Sequence, residues 1–244
     1  MTERAEDLQT EALRAFTLLT ALQAEWGGAL GGALGGSLVV ACGLGGGGQA
    51  LSIAANIAGA GCLAIEARAE VCRAALRLGA CDFVVNTVDE ALRILKNELR
   101  QRKPVSVAVQ SGEIAALEEL LDRGVLPEVF TAFRGDEDSA GDAAGRFAEF
   151  GALIVDFDGV LAATDGAVDG ARRLEGFTRE RGLRLDSVTF ASVEELRAFD
   201  ARLLEILPAP DARRTWCAAA PRFFHRERPF RRAVYLTAEE RERL

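Results

Sequence analysis

The chain holds a single histidine, His225, which excludes a metal site built from clustered imidazoles. It has five cysteines, at 42, 62, 72, 81 and 217, with no C-x-x-C pair among them. An odd, scattered set argues against a disulfide framework or a zinc site and for free thiols in a reducing compartment. Positive charge is in deficit: 29 Lys and Arg against 37 Asp and Glu leave −8 at neutral pH, the wrong sign for coating nucleic acid. The first residues, Met1-Thr-Glu-Arg-Ala-Glu-Asp7, lack the basic start and apolar core of a secretory signal, so a cytoplasmic protein is expected. Residues 26–65 carry no charge, a span long enough to cross a bilayer, and Gly27, Gly31 and Gly35 repeat at the spacing of packed membrane helices. Against that, eleven glycines fall between positions 27 and 48, each costing a helix about 1 kcal/mol relative to alanine in water. Membrane insertion is not expected. What remains is 244 residues, 49% apolar and 27% charged, enough for one large domain or a domain with an appendage.

Periodicity gives the organisation. Residues 2–25 read as an amphipathic helix, with Leu8, Leu13, Phe16, Leu18, Leu19 and Leu22 roughly on one face. A repeat follows, Gly27-Gly-Ala-Leu, Gly31-Gly-Ala-Leu, Gly35-Gly-Ser-Leu, read as a connector. Apolar runs at 38–42, 62–66, 82–86, 105–109, 129–133 and 152–156 read as strands. Between them, 49–58, 69–78, 88–102, 113–123 and 139–150 read as helices. Nearly continuous hydrophobic strands alternating with helices predict an α/β fold, a Rossmann-like doubly wound parallel sheet. The expected division is an N-terminal helix and connector over 1–36, the sheet domain over 37–156 and a smaller mixed α/β appendage over 157–244. In the appendage 168–180 and 193–206 look helical, 187–191 reads as a strand, and Leu207-Pro-Ala-Pro210 breaks the pattern. Residues 213–232 then set seven arginines against one acidic residue, Glu227.

The sharpest motif is Gly43-Leu44-Gly45-Gly46-Gly47-Gly48, which fits G-x-G-x-x-G between a strand and a helix starting near Gln49. Glycines there allow a tight turn and a close approach of backbone to pyrophosphate, with the amides of the helix N-terminus facing its charge. Glu66 closes the next strand, where a carboxylate accepts hydrogen bonds from ribose hydroxyls and repels a 2′-phosphate. That favours NAD over NADP, although Arg68 two residues on works against the preference. A glycine-rich turn that only packs tightly and binds nothing is the alternative. The run from Gly43 to Glu66 (G-L-G-G-G-G-Q-A-L-S-I-A-A-N-I-A-G-A-G-C-L-A-I-E) resembles, without gaps, the nucleotide-binding segment of the urocanase (urocanate hydratase) family. The similarity continues through Val88-Asp-Glu-Ala-Leu and Pro104-Val-Ser-Val-Ala to Arg123-Gly-Val-Leu-Pro-Glu-Val-Phe130, covering about residues 31–131. An echo of the family's F-C-R-G-V-G-P-F-R-W-A falls at Phe224-His-Arg-Glu-Arg-Pro-Phe-Arg231.

The resemblance implies bound NAD serving as an electrophile towards the imidazole ring of urocanate, with water then added to the substrate. It implies that Gly43, Leu44, Gly45, Gly46, Gly47, Gly48 and Gln49 form the cofactor loop, with Glu66 on the ribose and Gly112 beside the cofactor. Arg231 matches a substrate-binding arginine of the family. The departures are specific. Gln49 and Leu51 replace a glycine and the glutamine of the family's G-L-G-G-M-G-G-A-Q; Ser111-Gly112-Glu113 replaces its G-N-A; residues 132–138 replace its D-Q-T-S-A-H-D. Urocanases are also more than twice as long, and the regions supplying much of their substrate pocket have no counterpart here. No catalytic set beyond Arg231 is expected, nor any metal site. The expected function is an NAD-binding urocanase-like protein without a complete hydratase site: a pseudo-enzyme, sensor or partner-dependent module. Two alternatives stay open: hydratase-type lyase chemistry completed by another chain, and a protein-interaction domain with an empty glycine loop and the arginine-rich tail as its contact.

Two rival constellations complete the reading. Ile154-Val-Asp156-Phe-Asp158-Gly159 resembles the first motif of haloacid-dehalogenase-type phosphatases, but both lysines, Lys96 and Lys103, lie upstream and no later carboxylate pair closes a strand. Asp156 and Asp158 are more simply strand-end residues near any bound ligand. In the tail, Trp216, Phe223, Phe224 and Phe230 interleave with the arginines, a composition that can bind single-stranded nucleic acid. The preferred reading is that the aromatics pack a subdomain and the arginines pair within the molecule or between copies, since the rest of the chain is so acidic, and a nucleic-acid partner is not expected.

Overall fold

The computed structural model describes residues 7–25, 34–133 and 137–244. Six of the expected strands form: β1 (Leu38–Cys42), β2 (Gly61–Ile65), β3 (Phe83–Val85), β4 (Ser106–Val109), β5 (Val129–Ala132) and β6 (Leu153–Asp156). With β7 (Val168–Asp169) they make one seven-stranded sheet, ordered β3-β4-β2-β1-β5-β6-β7, in which every pair is parallel. The chain winds from β1 to one side and returns to the other, so the strand order reverses between β1 and β5, where ligands bind in such sheets.

The helices follow from caps and apolar stripes. After α1 (Leu8–Glu25), the sheet is covered by α2 (Gly46–Ala58), α3 (Ala69–Leu78), α4 (Val88–Arg100), α5 (Glu113–Asp122) and α6 (Glu137–Glu149). Gly59 and Gly79, both at positive φ, close α2 and α3. The Thr87 hydroxyl accepts from the Glu90 amide to open α4. Alternation along β1 shows why the sheet needs two layers. Val39 and Ala41 point into a core shared with Phe16, Leu51 and Ile53, while Leu38, Val40 and Cys42 meet Leu95, Leu117, Leu120 and Phe147 on the other face.

The segment 168–180 differs from its expected single helix. Val168 and Asp169 pair with Val155 and Asp156 as β7, and α7 (Gly170–Glu180) starts only afterwards. The cause is local: the Asp169 side chain accepts from the Arg172 amide at 2.9 Å, which requires an extended residue before the helix. The strand expected at 187–191 is longer, β8 (Arg184–Phe190), and pairs antiparallel with β9 (Phe230–Leu236). Between them lie α8 (Val193–Ile206) and α9 (Ala212–Phe224), and α10 (Ala238–Glu242) follows. Residues 2–6 of the expected first helix, and most of the glycine-rich connector, lie outside the described residues.

Much of the arginine-rich tail is spent inside the molecule. The Arg232 guanidinium, 1% exposed, makes two bonds to the Asp200 carboxylate at 2.6 and 2.8 Å. The Gln9 amide oxygen of α1 accepts from the Ala233 amide at 2.7 Å and the Gln9 amide nitrogen donates to Glu227 at 2.6 Å, which ties α1 to β9. Arg213 spans Asp211 and Glu240. Trp216 is fully buried between Phe16 and Phe224 and donates to the Ala233 carbonyl at 2.9 Å. Of the readings open for the tail's aromatics, Trp216 and Phe224 pack a core and offer no ring to a base. Among the described residues no helix is long and apolar enough to cross a membrane. Asp200→Asn would leave a buried guanidinium uncompensated and is expected to cost about 3–5 kcal/mol in urea unfolding, whereas replacing Asp200 and Arg232 together by Leu and Met should recover most of it.

Candidate functional site

At the end of β1 the chain reverses through Gly43, whose φ of +88° only glycine adopts readily. The Gly43 amide donates to the Ile65 carbonyl at 2.8 Å, binding the turn to the neighbouring strand. Gly45 then caps α2 with its backbone alone, no side chain filling the cap, and the helix begins at Gly46. The four candidate glycines that follow the turn do different work. A Cβ on Gly48 would sit 2.1 Å from the Gly43 carbonyl oxygen, so helix and strand can approach this closely only with hydrogen there. A Cβ on Gly47 would strike the Phe133 ring at 2.4 Å. A Cβ on Gly45 or Gly46 would meet nothing within 4 Å beyond its chain neighbours and its own helix, and these are the positions where an added group meets open space. Gln49 is held in the first turn, its side chain donating to the Leu44 carbonyl at 3.1 Å. An uncapped helix N-terminus facing open space at the carboxyl edge of the sheet is suited to an anion.

Glu66 lies one residue beyond β2 and is buried. Its carboxylate accepts four bonds: from the Leu44 amide at 3.1 Å, and from the Arg68 backbone amide, Nε and Nη2 at 3.0, 2.8 and 2.9 Å. Burial opposes its charge, but the bonds from Arg68 and Leu44 outweigh that and hold its carboxyl below the ordinary value. Four donors fill a carboxylate's lone-pair positions. A ribose hydroxyl can therefore bond to Glu66 only where the half-exposed Arg68 side chain gives way.

Gly112 caps α5, and a Cβ added there would meet nothing within 4 Å beyond its chain neighbours, while Glu113 beside it turns to Cys42. Burial pushes the Cys42 thiol well up, and the hydrogen-bonded Glu113 carboxylate adds to the shift, so this thiol stays protonated. All five cysteines are free and buried. Arg231 does not reach the loop; its guanidinium is held by Glu227 at 2.6 Å and by Asp7. Asp156 accepts from the Gly159 and Leu161 amides at 2.8 and 3.3 Å, which makes it a turn-forming strand-end residue. His225 is exposed, its ring beside the Arg222 carbonyl. Among the described residues no cluster of three or more potential metal ligands is present.

Next to Gly47 the structure opens a cavity of about 470 Å³ between α1, the ends of β5 and β6, and α7. Phe133 and Phe157 form one wall as a tilted pair with centroids 5.6 Å apart. Arg14 of α1 contributes from the inner side, bonded to Glu11 at 2.7 Å and to the hydroxyl of Tyr235, the chain's one tyrosine. Burial raises the Tyr235 phenol above its ordinary value although Arg14 pulls it down. Asp158 and Glu175 stand at the exposed side. Sequence reasoning passed over Glu11, Arg14, Glu175 and Tyr235. They lie on three elements far apart along the chain, and the one signal available was that Tyr235 is unique.

These glycine positions give a direct test. Gly48→Ala should destabilise the fold by about 1–3 kcal/mol through overlap with Gly43, whereas Gly46→Ala should unfold at the wild-type urea midpoint or slightly above it.

A family model, the urocanase Rossmann-like domain, matches residues 16–142, more than half of the 244 residues. The match runs from α1 through the glycine loop and Glu66 into α6, and it leaves Arg14, Asp158, Glu175 and Tyr235 of the cavity outside. With its parallel sheet, its glycine turn and this match, the chain belongs to the urocanase family.

Proposed function

We propose that this chain binds NAD at the glycine loop and does not by itself hydrate urocanate, acting as a sensor or as a module completed by a partner. The observation that carries the first half is the open space at Gly45 and Gly46, directly after the left-handed turn at Gly43 and beside the ionised Glu66. The residues present fit a dinucleotide. The amides at 46–48 would hold the pyrophosphate, and Glu66 the hydroxyls of the adenosine ribose. Bound NAD would bring an electrophilic nicotinamide ring to the carboxyl edge of the sheet. Leu44 and Arg68 keep Glu66 charged for its task, and Arg68 also competes for its oxygens, so Arg68 weakens the affinity it helps to prepare.

The second half rests on departures within the family-matched segment and on Arg231 beyond it. Phe133 packs on the first turn of α2, and Glu113 puts a carboxylate next to the loop where the family has a neutral side chain. Arg231, the one candidate for a substrate arginine, is tied to Glu227 and Asp7. Five buried free thiols support a cytoplasmic setting. A partner surface on the tail would fall to Arg222, Arg226 and Arg228, which are exposed. One observation favours the rival reading of an empty loop: Glu66 already has all four acceptor positions filled.

Thermal unfolding of the cofactor-stripped chain separates these readings. NAD⁺ at a hundred times its Kd should add about 2.7 kcal/mol, a rise of roughly 5–10 °C for a chain of this size. Glu66→Ala should abolish the rise and Arg68→Ala should tighten NAD⁺ several-fold, with NADP⁺ weaker than NAD⁺ in the parent chain. No rise with any nucleotide would leave the interaction-domain reading, and turnover of urocanate by the NAD-loaded chain would overturn the pseudo-enzyme.

A further inference from the structure

The cavity beside Gly47 has walls that the family segment does not provide. Arg14 and Tyr235, from α1 and β9, line it together with Asp158 and Glu175, from the loop after β6 and from α7. All four lie outside residues 16–142. At about 470 Å³ it has the size of a small-molecule site. At its edge Gly170 lets the start of α7 pack closely on β6 and α1, since a Cβ there would meet the Asp156 carbonyl at 2.8 Å and Leu18 at 3.0 Å.

The chemistry of the walls is one-sided. Arg14 is the one cation among the lining residues, and it faces Glu11 at 2.7 Å, which leaves the acids in excess. Asp158 and Glu175 add two carboxylates at the exposed side, and three aromatic residues, Phe133, Phe157 and Tyr235, are among the lining. Aromatic faces attract cations through their quadrupole, and carboxylates at a cleft mouth draw them in. An anionic ligand would meet Glu11 beside Arg14 and pass two like charges.

We propose that the cavity formed by Arg14, Phe133, Phe157, Asp158, Glu175 and Tyr235 is a binding site for a small aromatic cation. The site therefore discriminates against an aromatic carboxylate, urocanate included. The phenolic oxygen of Tyr235 takes a bond from Arg14 and keeps a lone pair that can accept from a cationic N–H. This deepens the reading above by naming the ligand class beside the loop, and it rests on that reading only for the identity of the neighbour at Gly47.

Three ring compounds of nearly equal shape test it: benzamidine (cation), benzamide (neutral) and benzoate (anion), titrated calorimetrically into the full chain without nucleotide at low salt. Benzamidine should bind at least tenfold more tightly than benzoate, with benzamide between them. Glu175→Gln and Asp158→Asn, both at exposed positions, should each weaken benzamidine about fourfold, the Coulomb value for one charge at about 5 Å in water. Added salt should weaken it further. Benzoate binding as well as benzamidine, no binding of any of the three, or benzamidine affinity unchanged in both variants would overturn the proposal. Because no nucleotide is present, failure of NAD to bind leaves this result standing, and failure of benzamidine leaves the NAD reading standing.

Discussion

The contact between Gly48 and the Gly43 carbonyl is the constraint on which the site depends. It sets how steeply α2 leaves β1, and so where the first turn of that helix presents its amides. It also brings α2 down onto the sheet, where Leu51, Ile53 and Ala54 fill one core layer with Val39, Ala41 and Phe16. That packing gives α1 its place along α2, and α1 in turn carries Gln9 to β9 and Arg14 to the cavity. A hydrogen in place of a side chain at one position thus connects strand order, helix packing and ligand geometry.

Two electrostatic arrangements are built on that frame, and they differ in kind. Deep between α1, α8 and β9, Arg232 and Asp200 neutralise each other with Gln9 completing the network, which serves to fix the C-terminal elements on the sheet domain. At the carboxyl edge of the sheet the Glu66 carboxylate is buried but its partner Arg68 is half exposed. A pair buried on both sides holds a fold; one with an exposed guanidinium can let that group swing away for a ligand. The same distinction separates Arg231, locked by two acids, from the exposed Arg222, Arg226 and Arg228.

The sheet was legible in the sequence because strands buried on both faces are written as short apolar runs, and the runs at 38–42 and 129–132 say so directly. The glycine turn was legible because backbone demands leave glycines behind. β7 was not, since two residues carry no periodicity and their pairing depends on β6 being present. Nor was the role of Arg68, because nothing in the spacing of Glu66 and Arg68 says that the guanidinium folds back onto the carboxylate. The cavity was the least legible part. Its charged and hydroxyl groups come from α1, α7, β9 and the loop after β6, and the fold alone brings them together. The inward turn of the basic tail was legible in outline, because the acidity of the rest of the chain favours pairing within the molecule, and Trp216, Phe224 and Arg232 are buried there.

Dinucleotide binding at the open first turn of α2, as proposed, is tested most directly by isothermal titration of NAD⁺ into the stripped chain and into Gly46→Glu, since the new carboxylate enters open space and suits the helix N-terminus. Saturable one-site binding is expected in the parent chain, lost in the variant while its melting temperature stays unchanged. Equal binding in both chains, or no saturable heat in either, would contradict it.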